Sequence, residues 1–156
     1  MLELKEFKEC DIDTVFKIQR AAYKSLYEKY RDDELSPYME AKETVFNKYT
    51  RNGTKGYIFI EDGVPVGTVR ILLYPETNSA KVSALAVLPQ YQGRGIAQEA
   101  LLKIEKIHID VKTWKLDTIL QESGNCYLYE KLGYKKIGKM EEINERMTLV
   151  YYEKRL

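Results

Sequence analysis

The chain has 156 residues, 44% hydrophobic and 31% charged, with 25 Lys and Arg against 24 Asp and Glu and a net charge of +1. That length suits one domain spanning residues 1–156, and that composition suits a soluble globular one. So small a net charge supplies no bulk field for nucleic acid or an anionic membrane, and neither is an expected partner.

Leu2, Leu4 and Phe7 alternate with charged residues and predict a first strand. Asp11 is placed to cap a helix reaching about Tyr30, because Ile12, Val15, Phe16, Ala22, Tyr23, Leu26, Tyr27 and Tyr30 recur at helical spacing. The acidic run Asp32-Asp33-Glu34 breaks that pattern. Ser36-Pro37 then reads as a cap and first helical residue, starting a second helix that ends near Arg51, before Asn52-Gly53.

The period next changes from helical to alternating. Residues 56–60 and 64–73 predict two strands joined at the hairpin signal Asp62-Gly63, and residues 80–87 a third. Pro89 to Gly95 stops the strand. A helix follows, with Ala97, Ala100, Leu101, Ile104, Ile107 and Val111 as its apolar stripe. Leu116–Leu120 predicts a strand and Asn125–Leu132 a short helix closed by Gly133. Two last strands are predicted near 134–140 and 146–154. The fold class is α+β: a mixed, mostly antiparallel sheet of six or seven strands flanked by about four helices.

Cys10 and Cys126 form no CxxC pair and His108 is the only histidine, so the ligands of a zinc site are missing and no metal is expected. Two reduced thiols fit the cytoplasm. No apolar run approaches the roughly 20 residues of a membrane span, and the charged, alternating N-terminus does not read as a signal peptide.

The segment Leu85 to Leu102 carries the most chemistry. A strand enters a loop holding Gly93 and Gly95, and the loop opens an amphipathic helix. The first N–H groups of a helix lack internal partners and collect anions. Glycines let a phosphate approach the backbone, and Arg94 adds a charge. The loop lacks the GxxxxGK[ST] of ATPases and the parallel βαβ setting of the dinucleotide fingerprint. On loop chemistry alone, an ordinary turn before an ordinary helix fits about as well as a pyrophosphate cradle.

Gln92-Gly93-Arg94-Gly95-Ile96-Ala97 resembles the Q/R-x-x-G-x-G/A signature of the GNAT superfamily of N-acetyltransferases. The flanks Leu85-Ala86-Val87, Pro89, Tyr91 and Ala100-Leu101-Leu102 agree, as does the order of elements over nearly the whole chain. The resemblance implies a transfer of acetyl from acetyl-CoA to an amine in a ternary complex. It implies pyrophosphate binding by backbone N–H groups of Gly93 to Gln98 beside Gln92, and pairing of Leu85, Ala86 and Val87 with the pantetheine arm. An N–H near Val87 would serve the oxyanion.

The run Asn125 to Tyr134 is similar to a later motif of the same family. Tyr129 matches the tyrosine that protonates the departing thiolate. Asn125 matches an asparagine that bonds the cofactor, although it precedes Tyr129 by four residues where many members have about two turns. A carboxylate would take the amine's proton, with Glu122 first and Glu61 and Glu76 behind it; ordered water could serve instead.

The two N-terminal helices would wall the acceptor. Tyr23, Tyr27, Tyr30 and Tyr38 beside the acidic run would suit a cationic amine, while packed tyrosines and a solvated turn are the plainer reading. His108 and Trp114 read as packing or surface groups. A non-catalytic acyl-CoA sensor on the same fold is the alternative function, and a homodimer paired through the last strands is compatible with the pattern.

Overall fold

The structure, a computed structural model, describes residues 1–156. In chain order it holds β1 (Leu2–Glu6), α1 (Ile12–Tyr30), α2 (Lys42–Thr50), β2 (Thr54–Glu61), β3 (Val64–Tyr74) and β4 (Ser79–Val87). There follow α3 (Ile96–Ile107), β5 (Thr113–Ile119), α4 (Ser123–Lys131), β6 (Lys135–Asn144) and β7 (Met147–Arg155). The strands make one sheet in the order β1-β2-β3-β4-β5-β7-β6. Every neighbouring pair is antiparallel except β4 and β5. The α+β class, the seven strands and the four helices agree with the sequence reading. No helix is long and apolar enough to cross a membrane.

Alternation along the strands divides the core between two faces. Phe59, Val69, Ile71 and Trp114 pack with Ala100, Leu101 and Ile104 of α3. Ile58 on the other face packs with Val15 of α1 and with Val45 and Tyr49 of α2. Ile104 has no exposed surface, and burying such a side chain contributes about 1.5–3 kcal/mol. The central strands lie close together: a β-carbon on Gly67 would stand 2.6 Å from the Ala86 carbonyl oxygen.

Four local expectations are corrected. Asp11 does not cap α1 with its side chain. Its carboxylate accepts from the Lys8 N–H at 2.9 Å and pairs with Lys5, closing a short turn ahead of the helix. The predicted helix from Ser36 to Arg51 is split. Ser36 does cap a turn, accepting from the Tyr38 N–H at 3.1 Å, but Glu40 and Ala41 are extended and α2 starts at Lys42. The reason is competition from α1. Gln19 donates to the Pro37 carbonyl at 2.9 Å and Arg20 to the Tyr38 carbonyl at 3.0 Å, occupying acceptors that a continuing helix would use. Finally, Val111 lies beyond the end of α3, and β6 runs four residues past its predicted end because β7 pairs with it as far as Asn144.

The sheet is opened at its centre. β4 and β5 pair only at Ser79–Thr113, Ala80–Trp114 and Lys81–Lys115, although β4 continues to Val87 and β5 to Ile119. Beyond Lys81 the register of β4 against β3 shifts at a bulge where Ala84 adopts φ 51°. A bulge bends and twists its strand, here away from β5. β5 meanwhile stays paired with β7 along its whole length. The diverging edges form a V.

Candidate active site

The V opens into a cleft of about 1080 Å³. One wall is β4 from Lys81 to Val87, with the loop and first turn of α3. The opposite wall is β5 from Leu116 to Ile119 with α4, and α1 and the turn after it close one side.

The glycine loop has the geometry an anion needs. Gly93 and Gly95 both have φ 77°, a backbone conformation that few side chains tolerate, and a β-carbon on either would meet nothing within 4 Å. Gly95 is the N-cap of α3, and its carbonyl accepts the Glu99 N–H at 3.0 Å. The N–H groups of Ile96, Ala97 and Gln98 therefore precede the helix's own ladder, and all three residues line the cleft. These amides carry the positive end of the helix dipole. A diphosphate fits that cradle.

Most of the residues singled out in the sequence converge here. Leu85, Ala86, Val87, Gln92, Gly93, Gly95, Ile96, Ala97, Gln98 and Asn125 all line the cleft, as do Tyr129 and Glu122. Gln92 has a local duty as well: its side-chain amide donates to the Val87 carbonyl at 3.0 Å and ties the loop to the strand end. Arg94 is the exception among the predicted cofactor residues. It does not line the cleft, and its guanidinium lies 5.2 Å from the ring centroid of Tyr91, because the left-handed glycines on either side turn it outward.

Glu61 and Glu76 are also away from the cleft. Glu61 ends β2 and pairs with the N-terminal amine at 2.9 Å, while Glu76 sits in an exposed turn between β3 and β4. Neither lines the cleft, which removes both as candidates for the base.

Tyr129 lies on α4 with 8% of its surface exposed. Its ring meets Tyr134 edge-on, with centroids 5.9 Å apart. Burial, helped by the negative charge of Asp117, raises its pKa, so the phenol keeps its proton at neutral pH. Tyr23 is likewise raised by burial, and its hydroxyl donates to the Leu85 carbonyl inside the bulge.

Glu122 is the residue before α4 and is engaged from α1. Lys29 donates to its Oε2 at 2.7 Å, and the Tyr30 hydroxyl donates to the same oxygen. Burial alone would raise its pKa, but those two hydrogen bonds and the Lys29 charge outweigh burial and hold it below the ordinary value. A carboxylate so engaged is a weaker base than a free one. Its depressed pKa supplies stability above the unfolded-state value, and that stability is lost as pH falls through the folded value. Wild type should therefore melt above Glu122→Gln at pH 7, and the gap should close on acidification below about pH 4.5. A constant gap in melting temperature from pH 7 to pH 3 would count against the ion pair.

The tyrosine wall is dispersed. Tyr23 faces the cleft, but Tyr27 stacks on Tyr38 at 5.3 Å and donates to Asp33, and Tyr30 is buried against Glu122. Of the acidic run only Asp32 lines the cleft, and burial raises its pKa. His108 bonds the Tyr57 hydroxyl at 2.7 Å beside the buried Trp114, so both pack. Cys10 and Cys126 are unpaired. Sequence reasoning missed Arg70, Lys81 and Asp117, which line the cleft from three neighbouring strands. The one available signal was Arg70 itself, a charge inside the apolar run Val69-Arg70-Ile71.

Comparison with known proteins agrees with this geometry. The model of the Acetyltransferase (GNAT) family matches residues 23–134. The PaiA N-acetyltransferase of Thermoplasma acidophilum, solved in complex with coenzyme A, superposes with a TM-score of 0.79 at 20% identity, covering 100% of this chain and 99% of that one. The ribosomal-protein-S18-alanine N-acetyltransferase of Escherichia coli gives 0.80 at 15% identity, covering 99% and 94%. The spermidine N-acetyltransferase of Vibrio cholerae, in complex with CoA and spermine, gives 0.77 at 19% identity, covering 97% and 94%. At those identities the likeness is one of fold. Among curated proteins, YrkN of Bacillus subtilis is 27% identical over 119 residues, which span 76% of this chain and 64% of that protein's length. With a family model matched over most of its length and a glycine cradle set in a split sheet, the chain belongs to the GNAT acetyltransferase family.

Proposed function

We propose that this protein transfers an acetyl group from acetyl-CoA to the amine of a small molecule or peptide, by direct attack within a ternary complex. The observation that carries the reading is the cradle at the start of α3: bare amides of Ile96, Ala97 and Gln98 behind two glycines with positive φ, opening into the V. Acetyl-CoA would supply the activated thioester. Gly93, Gly95 and the first turn of α3 would hold its diphosphate, with Gln92 keeping the loop in place and Asn125 alongside. β4 from Leu85 to Val87 presents the edge that β5 leaves unpaired, where an extended arm can add as a strand. Holding amine and thioester together makes the attack effectively intramolecular. An N–H near Val87 would face the developing oxyanion. Tyr129 would give its proton to the departing sulfur, and burial that raises the phenol's pKa also makes a thiolate beside it more basic. Glu122, tied to Lys29, would take the amine's proton only through its free oxygen; water in the cleft is the other route.

The unpaired thiols support a reducing compartment, the cytoplasm. The free edge of β6 supports a homodimer. Its run from Lys135-Lys136 to Glu141-Glu142 is self-complementary in antiparallel pairing about a two-fold axis. The deciding measurement is calorimetry with CoA at neutral pH, followed by an amine screen read by free-thiol release. Folded protein that takes up no CoA would overturn the proposal. CoA binding with no thiol release from any amine would favour a sensor.

A further inference from the structure

We propose that Arg70 anchors a carboxylate on the acceptor, so that the amine acetylated here belongs to an amino acid or a similar amino-carboxylate. The inference rests on the transfer reading above and names the substrate class of that same site.

Arg70 projects from the middle of β3 and is 8% exposed, yet it lines the cleft. The bulge leaves Arg70 opposite Ser83, on the face where Thr68 opposes Ala86 and where α1 and α2 pack. That is the face opposite the α3 core. Its guanidinium makes one hydrogen bond, from Nη2 to the Ser83 hydroxyl at 3.1 Å, and lies 5.9 Å from the ring centroid of Tyr49. No carboxylate lies within 4.0 Å of it. Its neighbours in the cleft are matched: Lys48 pairs with Glu40, and Lys81 with Asp117 at 3.2 Å.

A buried charge without a counter-ion is costly, and structures seldom keep one. A guanidinium has five N–H donors in a planar fork that fits a carboxylate with two parallel bonds. Four of the five donors are left over, in a cleft wide enough for a ligand. The site also limits which anion can come. Of the carboxylates in the cleft, Glu40, Glu122 and Asp117 are paired with Lys48, Lys29 and Lys81, which leaves Asp32 and Glu141 to favour a ligand that carries an ammonium beside its carboxylate. Position supplies the last constraint. Ser83, the partner of Arg70, lies past Lys81, where β4 parts from β5, and immediately precedes the bulge at Ala84. A carboxylate held there would lie on the same open stretch of β4 as Leu85 to Val87.

The test pairs amino acids with the amines that lack only their carboxylate, such as leucine with isoamylamine and alanine with ethylamine. Spermidine serves as an acceptor with no carboxylate. Steady-state rates are read by thiol release, and CoA affinity by calorimetry. The amino acid of a productive pair should show kcat/KM at least about tenfold above its decarboxylated partner. Arg70→Gln should erase that preference by raising KM for the amino acid, leaving both CoA affinity and turnover of the plain amine near wild type. Arg70→Lys keeps the charge without the fork and should recover part of the loss; it also carries the test if Arg70→Gln melts early. Equal or better turnover of the plain amines or spermidine would overturn the inference. So would an equal loss for both members of a pair in Arg70→Gln, or a protein that binds CoA and acetylates no amino acid. Failure to bind CoA would remove the transfer reading itself, and the inference with it.

Discussion

Replacing Tyr129 by Phe should lower kcat for amine acetylation by about 10²–10⁴-fold, the range in which positioned proton donors act. The substitution removes one oxygen and little else. The ring stays packed against Tyr134 and near Tyr152, with centroids 5.9 and 6.4 Å away. The cradle at α3 is untouched, so CoA affinity and KM for the amine should stay within about twofold and the loss should fall on kcat alone. A thiolate leaving without a proton is a poorer leaving group, so slow acceptors should suffer most. The measurement is thiol release at saturating acetyl-CoA, with calorimetry for CoA on the same preparation. Full activity in Tyr129→Phe would move the proton donor elsewhere in the cleft. Weakened CoA binding with unchanged kcat would make Tyr129 a packing residue.

Gly95→Val should weaken CoA binding by roughly 10- to 100-fold, for two separable reasons. At φ 77° a side chain pays the left-handed penalty of about 1–2 kcal/mol, and a β-branched one has few rotamers to escape it. Its β-carbon would enter space that is open in this structure, with nothing within 4 Å. Gly95→Asn separates the two effects, because Asn accepts left-handed backbone better than other side chains do. It should melt closer to wild type and still bind CoA weakly, since a side chain takes up room that Gly95 leaves open at the cradle. Calorimetry and melting curves on the two variants decide the matter. CoA affinity at the wild-type level in Gly95→Asn would mean the diphosphate does not approach this loop.

The cradle was legible in the sequence because every part of it is local. Strand, glycines and helix follow within eighteen residues, and an N-terminal turn exposes its amides wherever the helix is placed. The place of Tyr129 on the cleft wall was legible by resemblance, and that of its neighbour in the short helix, Asn125, came with it. The surroundings of Glu122 were less so. Glu122 does reach the cleft, but Lys29 and Tyr30, more than ninety residues earlier, decide how its carboxylate is used. The interrupted second helix failed for a similar reason. Ser36-Pro37 is a sound local start, and only the side chains of Gln19 and Arg20 on a packed neighbour explain why the turn stops at Met39.

By itself, then, the order of residues determined the class of fold, the anion cradle and the strand that leads into it, because short-range periodicity, turn chemistry and helix ends are set by residues close in the chain. The tertiary structure decided the V between β4 and β5, the exclusion of Glu61, Glu76 and Arg94 from it, and the absence of an ion-pair partner within 4.0 Å of Arg70. Those depend on strand pairings between residues tens of positions apart, where a single bulge at Ala84 sets which side chains share a face and which charges find partners.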